Sequence, residues 1–149
     1  MRTYRAKASE DTEHANKGEW VEGYPVECQT GDLFGVIGAM GIIGTTYAGN
    51  NFYVLVDRET ICQQTGLIDI NEKEIYHNDV ISQSNFNGEE YKAVYIVVWD
   101  NGGYCLKMIK GNEKAMNIGG LFSFGHIENN KLRKGEVIGN IFDNPELAL

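Results

Sequence analysis

The chain has no Cys-x-x-Cys pair, no long apolar run and no surplus of basic residues. Its three cysteines, Cys28, Cys62 and Cys105, are odd in number and far apart, so neither a zinc ribbon nor a disulfide framework is indicated. Reduced thiols in a cytoplasm are the expected state. No stretch approaches the roughly 20 apolar residues that a membrane-spanning helix needs. Arg2, Arg5 and Lys7 open the sequence, but Glu10, Asp11 and Glu13 follow where a signal peptide would have its apolar core, so none is expected. Internal repeats and low-complexity segments are missing as well.

The charge balance excludes a further class. There are 21 acidic and 13 basic residues, a net charge of −8. Up to Asp57 the chain holds 8 acids and 4 bases, and beyond it 13 acids and 9 bases, so each part carries −4. No basic half hides behind an acidic one, which disfavours bulk phosphate binding and favours solubility.

What is present is a series of short β-type runs with turn signals between them. At 149 residues the chain is expected to be a single domain, 1–149, able to bury roughly 68–70% of its unfolded surface. Residues 1–57 read as N-terminal strands and loops and 58–149 as the main core, with no convincing linker near Asp57. Glu10 to Glu19 is a polar loop with a bias toward disorder. Trp20-Val21-Glu22-Gly23-Tyr24 alternates as a half-buried strand does, and Pro25 points to an edge or a turn after it.

Glycine recurs at 35, 38, 41 and 44 with bulky apolar residues between. A phosphate-cradling loop would need a following Lys-Ser or Lys-Thr, or a G-x-G-x-x-G, and has neither. A flexible loop or a closely packed backbone is expected there, with self-association through an exposed apolar loop as a further possibility. Asn51 to Val56 forms a strand. Val94 to Trp99 is a continuous apolar run, expected to be buried on both faces. Asp100-Asn101-Gly102-Gly103 is a hairpin turn, because Asn-Gly accepts positive φ at both central positions. Tyr104 to Ile109 is the partner strand. Leu121 to Ile127 and Glu136 to Ile141 are two more, joined across Asn129-Asn130. Asn144-Pro145-Glu146 has the form of a helix cap. Such evenly spaced strands predict a small closed sheet.

The densest stretch is Glu59 to Ile81. Ile61 to Leu67 predicts a short strand ending at a Thr65-Gly66 turn, and Asp69 and Asn71 are expected to bond nearby backbone N–H groups in a polar loop. Glu74-Ile75-Tyr76 resumes the extended run. Asn78 is expected to be left-handed, with Asp79 fixing the bend.

The order Thr60, Gln63, Thr65-Gly66-Leu67, Asp69, Asn71, Lys73, Ile75-Tyr76, Asp79-Val80 resembles the signature of the YopX family, small proteins encoded by phages and prophages. That signature reads T-V-G-Q-x-T-G-L-x-D-x-N-G-K-x-I-Y-E-G-D-I-V. Tyr4-Arg5-Ala6-Lys7 with Glu19 to Tyr24, and Glu136 to Leu147, are similar to the family's opening and ending. Cys62 and Glu72 stand where the family usually has Gly, and His77-Asn78 where it has Glu-Gly. The resemblance implies a mainly β fold with little helix, a small SH3-like barrel in the C-terminal part and additional N-terminal strands. It brings no catalytic residues and implies a bacterial host cytoplasm. The structural signature is then Gln63, Thr65, Gly66, Leu67, Asp69, Ile75, Tyr76, Asn78 and Asp79.

Candidate chemistry is thin. His14, His77 and His126 lie far apart, and His77 with Asp79 supplies two ligands where a metal site needs three or four. Cys62 reads as a small packed residue, and Glu89-Glu90 as a solvated pair. No catalytic group, metal or cofactor is expected. Lys107, Lys110, Lys114, Lys131, Arg133 and Lys134 form a possible nucleic-acid face with Tyr104 and Phe122 or Phe124 for stacking. Glu113, Glu128 and Glu136 dilute it. The expected function is that of a non-catalytic module that binds a protein partner or self-assembles as a homo-oligomer. The alternative is a nucleic-acid-associated accessory protein.

Overall fold

The structure, a computed structural model, describes residues 3–27, 39–45, 49–84, 92–112, 121–122, 127–128, 130–132 and 135–149. It is mainly β with almost no helix, and it divides into two compact units, Met1–Gln63 and Gln64–Leu149. The division falls inside strand β5 (Cys62–Ile68).

The first unit is an antiparallel run of β1 (Tyr4–Lys7), β2 (Trp20–Glu27), β3 (Met40–Thr45) and β4 (Asn51–Leu55). Period-2 alternation sends Ala6, Val21, Ile42 and Val54 into a core that Ala8, Ala15 and Val56 complete. The end of β4 is tied back to β1 by an Ala8–Val56 bridge and by the Ser9 N–H donating to the Leu55 carbonyl at 2.9 Å. A 3-10 turn, Arg58–Thr60, follows, and the Thr60 hydroxyl accepts the Lys7 N–H at 2.9 Å.

Two expectations are narrowed in this unit. The later part of the glycine-rich stretch is strand β3, the closely packed backbone rather than the flexible loop of the two expected forms, while positions 35 to 38 lie outside the described residues. Gly44 pairs with Phe52 across the ladder, and a Cβ there would lie 2.3 Å from the ring, so glycine is required by close packing. The Glu10–Glu19 loop is not loose. The Thr12 hydroxyl accepts the His14 and Ala15 N–H groups, each at 3.1 Å, and Asp11 accepts the Lys17 N–H at 2.8 Å. The Glu19 carboxylate accepts both the backbone and side-chain N–H of Asn16, which holds its pKa below the ordinary value.

The second unit contains a five-stranded antiparallel sheet in the order β10 (Leu121–Phe122), β9 (Gly103–Gly111), β8 (Lys92–Asp100), β7 (Asp79–Ser84), β13 (Gly135–Asn140). Beside it, the later part of β5 pairs with β6 (Glu74–Tyr76) and runs parallel to β12 (Lys131–Leu132), which pairs with β11 (Ile127–Glu128). Ile75, Ile81, Tyr95, Val97, Leu106, Leu132 and Val137 form the core. The chain ends in a 3-10 turn, Pro145–Ala148, and Asn144 makes no side-chain cap there.

Among the described residues neither sheet closes into the expected SH3-like barrel. One reason is visible at β13, whose second edge meets a loop instead of a strand. The Ile70 N–H donates to the Gly135 carbonyl at 3.0 Å, and an Asp69 oxygen accepts the Val137 N–H at 2.9 Å. Strand β8 is not buried on both faces: Ala93, Tyr95 and Val97 are buried, while Val94, Ile96 and Val98 are half-buried. Asn130, with φ 62°, joins the two-residue strands β11 and β12 rather than two long ones. The Asn101-Gly102 turn joins β8 to β9 with φ of 45° and 83°.

Candidate functional site

The residues from 60 to 80 build corners. Gly66, with φ 87°, lies within β5 where the pairing with β6 slips between Gln64 and Ile68, so Thr65-Gly66 is a bulge inside the strand and not the turn that ends it. The Thr65 hydroxyl stands in for the lost ladder bonds, donating to the Ile75 carbonyl at 2.8 Å and accepting the Leu67 N–H at 3.2 Å. Asp69 is 1% exposed. One of its oxygens accepts the Asn71 and Lys73 N–H groups at 2.8 and 2.9 Å, and the other accepts the Val137 N–H at 2.9 Å. Asp79, equally buried, accepts the Tyr76 N–H at 2.8 Å around Asn78, whose φ is 68°. Glu72 has the same φ of 68°, so the turn survives although Glu replaces the family's Gly. Ile75 and Tyr76 are buried, and the Tyr76 hydroxyl donates to Glu74 at 2.9 Å. Gln63 pairs with Tyr4 in the first unit.

Among the described residues, Thr65, Asp69 and Asp79 bond backbone groups at separate corners. His77 lies against the Tyr104 ring at 5.9 Å between centroids, and burial lowers its pKa. Cys105 has a raised thiol pKa, from burial and then from Asp100, which works against a nucleophilic thiolate. Cys62 is fully buried in the first unit, and Cys28 lies outside the described residues. Among the described residues no group of three His, Cys, Asp or Glu side chains could hold a metal.

The proposed basic face is divided. Lys131 lies on β12, with its ammonium 3.6 Å from the Glu72 carboxylate. Lys107 and Lys110 are exposed on β9. Lys114, Arg133, Lys134, Glu89, Glu90, Glu113 and Phe124 lie outside the described residues. The β8–β9 pairing slips between Val94 and Tyr95, leaving Ile109 without a direct partner. Lys107 pairs with Ile96 and Lys110 with Val94, so both lysines share the outer face of the sheet. Strict alternation would have put them on opposite faces.

On that face a cavity of about 390 Å³ is lined by Ser82, Ser84, Lys92, Val94, Lys110 and Asn112, with Ala93 and Gly111 at its margin. Register explains the set. Ser82, Val94 and Lys110 form one cross-strand rung, and Ser84 with Lys92 forms the next. The Asn112 N–H donates to the Lys92 carbonyl at 2.9 Å. Lys92, Ser82 and Ser84 did not stand out in the sequence, because strand pairing alone brings them to Lys110.

At the opposite end of β8 and β9, Trp99 is 52% exposed, and its ring meets Tyr104 edge-on at 4.8 Å between centroids. The two are direct cross-strand partners beside the Asn101-Gly102 turn.

The fold and its corners can now be set beside known proteins. The YopX protein family model matches residues 3–148. The chain belongs to the YopX family. The crystal structure of protein EF1440 from Enterococcus faecalis is similar in fold, with a TM-score of 0.51 at 19% identity, covering 100% of this chain and 99% of that one. A search of curated proteins finds no match. For this YopX-family chain the buried corners of the signature hold backbone.

Proposed function

We propose that this YopX-family protein is a non-catalytic binding module that docks a protein surface, whether a partner or a second copy of itself, in a bacterial cytoplasm. The observation that supports this reading is Trp99, a large residue more than half exposed whose ring meets Tyr104 edge-on beside the hairpin turn. Aromatic side chains of this kind carry much area at low cost in conformational entropy and dominate many interfaces. The signature residues Thr65, Asp69 and Asp79 are spent on backbone groups, which is a structural use of their polar atoms.

The nucleic-acid reading has less support. Lys131 is paired with Glu72, and among the described residues Lys107 and Lys110, with Lys92 on the same face, are few against the roughly 6–10 phosphate contacts of a typical binder.

Light scattering after size exclusion at high micromolar concentration, with affinity capture from host lysate, tests the docking reading. The wild type should self-associate or retain a specific protein, and Trp99→Ala should lose that species while keeping its melting temperature. Tyr53→Ala, an exposed aromatic of the first unit, should keep it. A strict monomer that retains no protein would overturn the reading, as would a Trp99→Ala variant indistinguishable from wild type.

A further inference from the structure

We infer that the outer-face cavity over β7, β8 and β9 is a binding site for a small phosphate ester. The site is separate from Trp99, at the other end of the same strands, and does not rest on the docking reading.

The first observation is chemical. Two ammonium-bearing side chains, Lys92 and Lys110, two hydroxyls, Ser82 and Ser84, and the amide of Asn112 line one cavity, and among the described residues no carboxylate lines it. The described lining is therefore positive in a chain of net charge −8. Lysines and hydroxyls are donors suited to a tetrahedral dianion, the ammonium as a point charge and the serine O–H as a directed donor. Val94, between Ser82 and Lys110 on their rung, supplies an apolar floor.

The second observation is in the backbone. The slip at Val94 and Tyr95 gives β9 an extra residue at Ile109, and without it Lys110 would point to the core side of the sheet. Bulges re-aim side chains in this way next to binding sites. Here the bulge places Lys110 on the rung with Ser82 and beside that of Lys92.

Size and charge select among phosphates. A volume of about 390 Å³ exceeds what inorganic phosphate alone requires and lies in the range of small-ligand pockets. Glu136 pairs with Ser82 on the next strand and is exposed, setting an acid beyond the serine side of the pocket. That acid opposes a strand of nucleic acid continuing across the sheet more than it opposes a single phosphoryl group held on the Lys92 and Lys110 side. A mononucleotide or a sugar phosphate fits this description, the phosphoryl group being the shared feature.

Calorimetric titration at low salt should be run with inorganic phosphate, adenosine monophosphate, adenosine, glucose 6-phosphate and a 12-nucleotide single strand. Adenosine monophosphate or glucose 6-phosphate should bind more tightly than inorganic phosphate, and adenosine should not bind. Lys92→Gln and Lys110→Gln should each weaken binding by about tenfold, and Lys107→Gln, on the same face outside the cavity, should leave it within about twofold. Lys110→Arg should retain binding. If a Gln variant proves unstable, Ser82→Ala with Ser84→Ala serves as the second test and should also weaken binding. The inference fails if no phosphate ester binds at millimolar concentration, or if Lys107→Gln costs as much as the cavity variants. It also fails if the oligonucleotide binds far more tightly than either ester with a steep salt dependence, the signature of a polyanion surface.

Discussion

The two units of this chain use polar side chains to shape backbone in opposite environments. In the first, the Glu10–Glu19 loop is held by Thr12, Asp11 and Glu19 in open or partly open positions. In the second, the corners are held by Asp69 and Asp79, carboxylates removed from water and compensated by backbone N–H groups. An exposed hydrogen bond can be replaced by one to water, whereas a buried donor that loses its acceptor costs about 1–3 kcal/mol. The contrast therefore predicts a large difference in mutational sensitivity.

The sharpest way to break that comparison is to remove one acceptor from each unit. Asp69→Ala strands three N–H groups, those of Asn71, Lys73 and Val137. It should destabilise the fold by about 3 kcal/mol or more, at about 1–3 kcal/mol for each stranded donor. Thr12→Ala removes the acceptor for His14 and Ala15. It should cost about 1 kcal/mol or less, as an exposed cap does. Urea unfolding monitored by tryptophan fluorescence gives both values. Equal losses would mean that burial does not set the importance of these corners.

The same contrast explains what was legible in the sequence. The left-handed Asn78, the Asn101-Gly102 hairpin and the loop role of Asp69 follow from local chemistry, because Asn, Gly and Asp each have a narrow set of backbone uses. Even so, the 68-residue reach of Asp69 to Val137 is tertiary and leaves no local trace. Thr65-Gly66 carries the same residues whether it ends a strand or bulges within one, and the choice was made by the β6 pairing. The Gly35–Gly44 spacing left a loop and a closely packed backbone both open, because packing of Gly44 under Phe52 depends on which residue lies across the ladder. The cavity was hidden for a related reason: one extra residue at Ile109 changes which lysines share a face.

Two positions in the second unit sharpen the comparison at a smaller scale. Asn78 and Glu72 have the same φ of 68°, but Asn tolerates that conformation and Glu does not. Asn78→Val should cost about 1–2 kcal/mol and Asn78→Gly should be near neutral. Glu72→Gly should stabilise by about 0.5–1 kcal/mol, the relief of a left-handed non-glycine residue. Loss of the 3.6 Å pairing with Lys131 subtracts little, since a largely exposed carboxylate gains little from its partner. A Glu72→Gly variant that is less stable than wild type would show that the ion pair outweighs the backbone strain.

The smallest expected effect is at His77, where partial burial rather than a charge partner lowers the pKa from 6.5. The neutral ring is therefore the form favoured by folding. Above pH 6.5 the imidazole is neutral in both states and the fold has its full stability. As pH falls below that value, the unfolded chain takes up the proton first, so stability declines until the folded ring is also protonated and then levels off. Because the ring is partly solvated and packs on the Tyr104 ring, the decline should be shallow. His77→Phe should remove it, leaving the dependence on carboxylates at lower pH. Stability curves between pH 7.5 and 5.5 that coincide for the two proteins would place the burial of His77 too small to matter, and a steeper curve for His77→Phe would reverse the sign argued for this corner.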